Sequence, residues 1–543
     1  MNKVAHYLQE HLIGEVMTSS DARKYFSTDG SIFTLPPAMV VYPRNENDIR
    51  KTARFTWQLA ERGRAIPITA RGSGTDQSGA ALGSGIMLVF PAHMNRILEL
   101  DGKTGEAIVE PGINFGKLQQ TLLTHNRFLP PYPSSIEYST VGGAVANNST
   151  GEKSIKYGAM SKYVASLRVV LANGEVIETR KLSKRELGKK LGLATFEGEI
   201  YRNLDTLIEE HNSIIKNMPD VMGAAGYAIN KVKRKDGSFD LTQLIVGAQG
   251  TLGIISEIAL KTESYNPNTS VVAVQIQDLN ILPEFIKDLR DLPQIPSAIE
   301  MVNQQLLNFV HEHNPNQLKG LLDPPFAKAV MLIEFDNTTE RIQKRMRKKV
   351  TKLIKKYNLE YKIEHDAQKR DDLWRIRQSA SALISHTDKG VRAVPLIEDA
   401  VVPIDKFSEF LRMAYMLLSK QGVEPAVWGH AGMGNIHVRP LLDLSQVGDR
   451  QKAFKLLDDY YSLVISLGGT TSAGHNDGRL RAPYLPSVYG PETYSLFEKI
   501  KQIFDPYGTM NPGVKIGVTV DDIKPLVRQE YGLGHMYDHL PRS

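Results

Sequence analysis

Residues 71–79 read RGSGTDQSG and form a glycine-rich loop. Glycines let backbone N–H groups approach an anion without an intervening side chain, and the hydroxyl groups of the loop add donors. The loop lacks the dinucleotide fingerprint GxGxxG, and no GxxxxGKS/T motif occurs in the sequence. These differences argue against a nicotinamide-type Rossmann domain and against a P-loop nucleotide-binding domain.

The loop lies within a predicted βαβ unit. A strand over 39–42 is followed by a helix that has Asn45 or Asn47 as its N-cap. Short apolar strands are predicted on both sides of the loop, over 65–70 and 86–90. Strand, helix and strand at this spacing are typical of a βαβ opening.

Two more segments of small residues follow in the first half. Residues 133–135 (PSS) precede residues 140–148 (TVGGAVANN), where a helix is expected to begin with free N–H groups that face a pyrophosphate. The third segment, residues 247–254, reads GAQGTLGI. Each segment alone is typical of an ordinary turn, so the prediction of a nucleotide site depends on their order.

Composition limits the classes of protein. The chain has 543 residues, of which 41% are hydrophobic and 23% charged, as in a globular protein of two to four domains. It has no cysteine, which excludes disulfides, thiolate zinc and a cysteine-ligated iron–sulfur cluster. Its N-terminus lacks the apolar segment of a signal peptide, and no stretch reaches the ~18 apolar residues of a membrane helix. We expect a cytoplasmic protein.

The rest of the chain predicts a second unit. A hairpin is expected over 164–179, with Asn173-Gly174 as a tight two-residue turn. The pattern breaks near 265–268, and strands over 271–276 and 329–335 then alternate with helices. We place the domain boundary at this break.

A basic segment lies between Arg341 and Tyr357. Its apolar residues fall on one stripe of a helix, at Ile342, Met346, Val350, Leu353 and Ile354. The favoured interpretation is a helix with a solvated basic face, and the alternative is peripheral contact with the inner face of a membrane. Nucleic acid is disfavoured because no aromatic residue interrupts the lysines.

Four segments of the second half carry candidate chemistry. They are GHAGMGNIH (429–437), SAGHNDGR (472–479), WRIRQS (374–379) and NPG (511–513). By default, a lone histidine is a structural residue, a helical arginine is a solvated charge, and NPG is a turn.

In their order along the chain, these segments resemble the vanillyl-alcohol oxidase and p-cresol methylhydroxylase flavoproteins. GHAGMGNIHVRP resembles the motif GHxGxGNxH of the D-lactate, glycolate and 2-hydroxyglutarate dehydrogenase branch, and SAGHNDGRLR resembles its SxEHGxGR. The resemblance implies an α+β fold, with a PCMH-type FAD-binding domain of two subdomains and a ferredoxin-like α+β cap domain. We divide the chain into a lead-in over 1–35, the FAD-binding domain over 36–265, the cap over 266–520 and a tail over 521–543.

The resemblance implies non-covalent FAD, because the first loop has no histidine and the chain has no cysteine to link a flavin. The implied cofactor-binding residues are Arg71, Gly72, Ser73, Gly74, Thr75, Asp76, Ser78, Gly79, Pro133, Ser134, Ser135, Thr140, Val141, Gly142, Gly143, Ala146, Asn147, Asn148, Tyr157, Gly158, Gly250, Thr251, Gly253, Ile254, Ile255 and Asn511.

The implied reaction is oxidation of a small 2-hydroxy acid by hydride transfer from C2 to N5 of the flavin. Arg377 would hold the carboxylate of the acid, with Ser381 one helical turn further on. His475 would be the general base for the hydroxyl proton, and Asn435 is included among the catalytic residues. The electrons would then need an acceptor outside the chain, such as oxygen, a quinone, a carrier or an iron–sulfur partner.

A divalent metal, Zn or Mn, would be held in this branch by His430 and His437 together with a glutamate. The chain has Gly474 at the position of that glutamate, and Asn476 where glycine is usual. Glu398 or Asp399 could complete such a site. A cation such as Arg392 or Arg439 could instead stabilise the alkoxide.

Three alternatives stay open. The same fold could act on another alcohol or a sugar, in which case Arg377 would have little purpose. It could belong to a non-redox enzyme like the alkylglycerone-phosphate synthases, whose histidine-rich loop is missing here. It could also be a flavin-binding protein that has lost catalysis, an idea that only Gly474 supports.

Overall fold

The structure is a computed structural model. It describes residues 2–219, 223–336, 339–378, 380, 383, 387–388, 390–423 and 425–530. Ser381 and residues 531–543 of the predicted tail lie outside the described residues, whereas residues 521–530 of that tail are described.

The fold mixes helices and strands throughout. The α-helices span Asn2–His11, Ser20–Tyr25, Glu46–Glu61, Phe115–Thr124, Val141–Asn147, Ser154–Tyr157, Lys184–Leu191, Phe196–Glu210, Asn212–Lys216, Thr242–Ile245, Leu282–Arg290, Gln304–His313, Glu340–Lys356, Ala367–Gln378, Phe407–Lys420, Val447–Ser466, Leu485–Phe504 and Val520–Ile523. The strands span Glu15–Met17, Met39–Tyr42, Ile68–Arg71, Ile86–Val89, Ile97–Asp101, Glu106–Val109, Arg127–Phe128, Val164–Val170, Val176–Thr179, Lys181–Leu182, Phe239–Asp240, Ile254–Lys261, Glu263–Ser264, Ser270–Ile276, Ala298–Asn303, Ala329–Phe335, Glu360–Glu364, Thr387–Asp388, Val391–Ala393, Ala400–Val401, Pro425–Gly429 and Asn435–Leu442.

A four-stranded sheet contains the predicted βαβ opening. Met39–Tyr42 and Ile68–Arg71 both lie parallel to Ile86–Val89, and Glu15–Met17 adds an antiparallel edge. The helix that follows the first of these strands is capped by Asn45, whose side chain accepts a hydrogen bond from the N–H of Asp48. The loop over 71–79 leaves this sheet at the carboxyl end of its strand.

A five-stranded sheet forms the second part of the N-terminal half. Its order is Ile97–Asp101, Glu106–Val109, Ile254–Lys261, Val164–Val170 and Val176–Thr179. The predicted hairpin is confirmed, but its two-residue turn is wrong. The N–H of Leu171 donates to the carbonyl of Glu175, and only Gly174 of the loop has a positive φ, of 84°. A three-residue loop therefore replaces the turn, because Asn173 does not adopt the left-handed conformation that the tighter turn needs.

The second half is built on one large antiparallel sheet. Its order is Glu360–Glu364, Ser270–Ile276, Ala329–Phe335, Ala298–Asn303, Pro425–Gly429, Asn435–Leu442, Val391–Ala393 and Thr387–Asp388. Alternate residues of its strands enter two separate hydrophobic cores, one on each face. Strand Ala329–Phe335 is buried along its whole length for this reason, as expected when both faces of a sheet are covered.

The basic helix is confirmed at Glu340–Lys356. Met346, Val350 and Ile354 are buried against the sheet, and Thr339 caps the helix through its hydroxyl. The predicted apolar stripe therefore holds the helix on the cap domain while its cations point outward.

The two halves are connected at several places. Lys153 pairs with Glu334 and Lys156 with Asp336, and the hydroxyl of Tyr157 donates to Asp336 at 2.7 Å. The chain also returns to the first sheet near its end, where the N–H of Asn511 donates to the carbonyl of Ile68 at 2.9 Å. These contacts join the two halves.

None of the helices in the described part of the chain is long and apolar enough to cross a lipid bilayer.

Candidate active site

A cleft lies where the glycine-rich segments of the first half meet the histidines of the second. It encloses ≈ 1360 Å³ of space, part of which is open to solvent. The predicted cofactor-binding residues that line it are Arg71, Gly72, Ser73, Gly74, Thr75, Asp76, Pro133, Ser134, Ser135, Thr140, Gly142, Gly143, Ala146, Asn147, Gly250, Gly253 and Ile255.

The first loop is held in place by its own arginine. Arg71 is 1% exposed, and its guanidinium donates to the carbonyls of Phe26, Thr28 and Ala81. A Cβ on Gly72 would lie 2.2 Å from Oγ1 of Thr140, the cap of the next segment. Glycine is therefore required where the first and second segments touch.

The second segment forms the helix Val141–Asn147, as predicted, but its first N–H groups are occupied. Those of Val141 and Gly142 donate to the carbonyls of Ile113 and Pro111, and that of Gly143 donates to Oγ1 of Thr140. These groups are not free to bind a pyrophosphate in this structure. The helix instead contributes close packing and the small surface of Gly143.

Gln249 connects the third segment to its neighbours. Its side chain donates to Oδ1 of Asn147 at 2.9 Å and accepts from the N–H of Gly478 at 2.8 Å. The next residue, Gly250, has a φ of +73°, and a Cβ there would meet nothing closer than 3.9 Å. The wall of the cleft is thus bare backbone at this point.

Other predicted cofactor-binding residues lie behind the wall. Asn511 donates to the carbonyls of Ala80 and Gln249, and the hydroxyl of Thr251 contacts that of Tyr227. These residues support the loops. The predicted residues that do not line the cleft are Ser78, Gly79, Val141, Asn148, Tyr157, Gly158, Thr251, Ile254 and Asn511.

His475 enters the cleft from the second half. Its Nδ1 lies 2.8 Å from Oε1 of Glu398, and its side chain is 27% exposed. The carboxylate of Asp399 accepts from the backbone N–H groups of Ala473, Gly474 and His475, which fixes the loop that carries the ring. A carboxylate on Nδ1 leaves Nε2 as the nitrogen available to a ligand.

Two arginines neutralise Glu398. Nη2 of Arg439 lies 2.6 Å from Oε2 of Glu398, and Nη2 of Arg481 lies 3.1 Å from Oε1 of Glu398. All three side chains are buried. Burial opposes the charge of this carboxylate, but Arg439 and His475 hold its pKa well below the ordinary value. Burial also opposes the charged form of His475, yet Glu398 and Asp399 raise its pKa above the ordinary value.

The predicted metal histidines approach each other across a hairpin. Strands Pro425–Gly429 and Asn435–Leu442 pair, and the rings of His430 and His437 have centroids 5.7 Å apart. His437 stacks on His475 at 4.9 Å, and burial together with that neighbour lowers its pKa well below the ordinary value. Within the described residues, Nδ1 of His437 is buried without a hydrogen-bonding partner.

Glu300 connects Arg377 to His430. Its Oε2 accepts from Nε of Arg377 at 2.8 Å, and its Oε1 lies 2.7 Å from Nδ1 of His430. Although burial opposes its charge, His430 and Arg377 lower the pKa of Glu300 to about 2. Arg377 is therefore a buried, anchored cation, and Asn435 is a buried amide that donates to the carbonyl of Ala400.

The residues at this centre do not fit a divalent metal. A Cβ on Gly474, where the third ligand was expected, would lie 2.2 Å from Oγ1 and 2.7 Å from the backbone N of Thr150. Glu398, His437 and His475 do offer ligand atoms within 4.8 Å of one another. However, two guanidinium groups already engage Glu398, and they would repel a divalent ion.

The cleft does fit FAD. Bare backbone at Gly143 and Gly250, and hydroxyls at Ser73 and Thr75, line the cleft and suit the phosphates of a dinucleotide. Residues 37–180 match the family model described as "FAD binding domain", and residues 266–514 match the one described as "FAD linked oxidases, C-terminal domain".

The chain belongs to the FAD-linked oxidase family.

Several relatives of this FAD-linked oxidase have been named. It is 29% identical over 532 residues to D-2-hydroxyglutarate dehydrogenase of Escherichia coli K12, covering 94% of the chain and 51% of that protein. It is 27% identical over 479 residues to "Glycolate oxidase subunit GlcD" of Bacillus subtilis 168, covering 88% of each. It is 26% identical over 505 residues to D-lactate dehydrogenase of Archaeoglobus fulgidus, covering 92% of the chain and 97% of that protein. The chain thus spans about half the length of the D-2-hydroxyglutarate dehydrogenase.

Solved structures share the fold of this FAD-linked oxidase. Substrate-bound p-cresol methylhydroxylase superposes with a TM-score of 0.69 at 16% identity, covering 96% of the chain and 97% of that protein. The 4-ethylphenol oxidase of Gulosibacter chungangensis superposes with a TM-score of 0.67 at 16% identity, covering 96% and 98%. The predicted PCMH-type fold is confirmed.

Sequence reasoning missed Glu300 and Thr150. Glu300 left a signal, because it is a lone carboxylate in the apolar strand Ala298–Asn303. A charge in a fully buried strand requires a partner, and here there are two. Thr150 left no signal in the sequence, because its role in closing position 474 to a side chain depends on its distance from Gly474 in the fold.

Proposed function

We propose that this FAD-linked oxidase removes a hydride from C2 of a small 2-hydroxy acid. The observation that carries the proposal is the pairing of His475 with Glu398 at the end of the cleft that fits the dinucleotide. When bound, FAD supplies the two-electron acceptor. The 2-hydroxy-acid substrates named for the relatives support the choice of substrate class.

His475 is proposed to accept the proton of the substrate hydroxyl. Glu398 binds Nδ1 of the ring, so Nε2 is the atom left to take the proton. The loop that carries the ring is fixed by three N–H bonds to Asp399, which keeps the base in one orientation. A positioned base contributes about 10²–10⁴-fold to a rate.

Arg377 is proposed to hold the carboxylate of the substrate. Its Nε is bound to Glu300, and in the described part of the chain its Nη groups have no other hydrogen-bond partner. One side of the guanidinium is thus anchored, which leaves the other donors for an anion. Ser381, the predicted partner of Arg377, lies outside the described residues.

The electrons must then leave the chain for an acceptor. The described residues hold no cysteine that could ligate an iron–sulfur cluster. We propose that oxygen, a quinone, a carrier or a partner subunit accepts them.

Anaerobic flavin bleaching tests the proposal. The purified protein should be yellow and should release its flavin on denaturation, since the attachment is proposed to be non-covalent. D-lactate, glycolate and D-2-hydroxyglutarate should be tried separately, with the deoxy acids as matched controls that keep the carboxylate and lack the hydroxyl. Bleaching by at least one hydroxy acid and by none of the controls is expected. A yellow protein that none of the three acids reduces would refute the substrate class.

A substitution of Arg377 distinguishes a carboxylate substrate from a neutral one. If the substrate is a neutral alcohol or a sugar, Arg377→Lys should change its KM little. If it is a carboxylate, the loss of the planar fork should raise KM by about tenfold or more.

A further inference from the structure

Two buried arginines at the reaction centre have no role in the chemistry proposed above. Arg439 and Arg481 both contact the carboxylate of Glu398, and their exposed fractions are 3% and 0%. Glu398 balances one of these charges, and the neighbouring carboxylate of Asp399, which binds the backbone of His475, balances the other. The group lies directly behind His475, whose Nδ1 contacts Glu398.

Arg439 reaches from this group to the edge of the cleft. It lies two residues beyond His437 on strand Asn435–Leu442, so the two side chains project from the same face of the sheet. One of its Nη atoms donates to the side chain of Gln77, a residue that lines the cleft. Its guanidinium carbon also lies 5.7 Å from the centre of the Trp428 ring. Packing, one hydrogen bond and an ion pair therefore fix the position of this cation.

Position 474, where a third metal ligand was expected, has no room for a side chain. The loop at Thr150 belongs to the first half, and its backbone N lies 2.7 Å from where a Cβ of residue 474 would be. Changing the rotamer of Thr150 would not remove this contact, because a main-chain atom makes it. Any side chain at position 474 would have to displace the loop.

The carboxylate beside His430 is also balanced by a cation. Nδ1 of His430 contacts Glu300, which binds Arg377 with its other oxygen. The two carboxylates near the predicted ligands, Glu300 and Glu398, are thus both paired with arginines, and neither is left to complete a tetrahedral site.

We infer that this centre binds no divalent metal and that two fixed cations, Arg439 and Arg481, occupy the carboxylate of Glu398 instead. They act as positioning residues through Glu398, which they hold ionised against Nδ1 of the histidine. The inference rests on the proposed function, because it describes the same centre at work. In this arrangement the positive charge is part of the chain and cannot be extracted by a chelator.

The first test counts metal in the yellow holoenzyme. The protein is incubated with excess Zn²⁺ or Mn²⁺, freed of unbound ions and measured for metal per flavin. Less than about one tenth of an ion per flavin is expected, with no loss of flavin reduction after EDTA. About one ion per flavin, or activity that EDTA removes and Zn²⁺ or Mn²⁺ restores, would overturn the inference. If no hydroxy acid reduces the flavin, the proposed function fails, and the metal count still decides this point.

The second test changes the charge. Arg439→Ala should slow flavin reduction at saturating substrate by about tenfold or more, and guanidinium ion added to the buffer should restore part of the rate. Arg439→Lys keeps a cation and should retain more of the rate than the alanine variant. Arg412→Ala, a change on an exposed helix face, is the matched control and should match the wild type. An Arg439→Ala enzyme with the wild-type rate would overturn the role of the charge; if it does not fold, the lysine variant and the metal count decide.

Discussion

The two sides of the cleft are built in different ways. The cofactor side consists of backbone and small residues, and glycine is required at Gly72 because Thr140 lies 2.2 Å from where its Cβ would be. The opposite side consists of buried charges, in which Glu300 and Glu398 each bind a histidine and at least one arginine. The first arrangement tolerates little change in residue size, whereas the second depends on the balance of charge.

Two departures from the residues that the resemblance predicts, Gly474 and Asn476, lie on the charged side. On the cofactor side the order of the glycine-rich segments agrees with the resemblance. Asn476 has a φ of +62°, a conformation that asparagine adopts more readily than most residues other than glycine.

The largest expected effect concerns the charged side. His475→Ala should slow anaerobic flavin reduction by about 100-fold or more while leaving bound flavin unchanged, because only the base is lost. Stopped-flow absorbance at the flavin band measures it. His313→Ala, on an exposed helix, is the control and should behave as wild type. Equal rates for the two variants would remove His475 from the mechanism.

A smaller effect is expected on the cofactor side. Gly72→Ala should weaken FAD binding by about 10–100-fold, because its Cβ would collide with Oγ1 of Thr140 and displace the first loop. Titration of the flavin-free protein with FAD measures the dissociation constant. Gly448→Ala adds the same methyl group where no atom lies within 4 Å, and it should leave the constant unchanged. A tight Gly72→Ala complex would show that the contact between the segments is not essential.

The pH dependence separates the two sides further. Glu398 and Asp399 raise the pKa of His475, and only the neutral ring can accept a proton. As the pH is lowered, the rate of flavin reduction should therefore begin to fall at a pH above the ordinary histidine pKa of ~6.5. Below the raised pKa, it should fall about tenfold for each pH unit. Glu398→Gln should move this fall to lower pH. The affinity for FAD should not depend on pH in the same way as the rate of flavin reduction. An inflection that stays in place in the variant would contradict the role given to Glu398.

The smallest effect concerns a carboxyl group behind the first loop. Burial and the nearby Asp76 raise the pKa of Asp29 to about 7, although Ser31 and Arg71 oppose the shift. A raised pKa in the folded state gives stability at low pH, which is lost as the pH rises from ~4 to about 7. Asp29→Asn should therefore exceed the wild type in melting temperature by a few degrees more at pH 8 than at pH 5. Thermal melts at the two pH values test this, and identical differences at both would contradict it.

On the cofactor side, the sequence predicted the βαβ unit and the helix after the second segment because their signals are local. Such patterns favour the same local structure in any surroundings; here they are a glycine-rich loop, the N-cap Asn45 and a run of small residues. The prediction of a two-residue hairpin turn was wrong because the local pair Asn173-Gly174 does not by itself determine how many residues the loop contains.

The charged side was predicted only in part because its signals are contacts between distant residues. His475 could be found from its motif. That Glu398, and not Asp399, would receive its Nδ1 depends on how the loop over 472–475 folds onto Asp399. Thr150 and Gly474 are more than 300 positions apart, and only the structure places them in contact.

Asn476 has a consequence for the way ligands enter. Its amide donates to the carbonyls of Asn147 and Gly247 in the first half, and its oxygen accepts from the buried Lys515. Moving the halves apart would break the two bonds to Asn147 and Gly247 and expose the amide whose oxygen binds the buried Lys515. Substrate should therefore diffuse in through the open mouth of the cleft, and turnover should not require the two halves to separate.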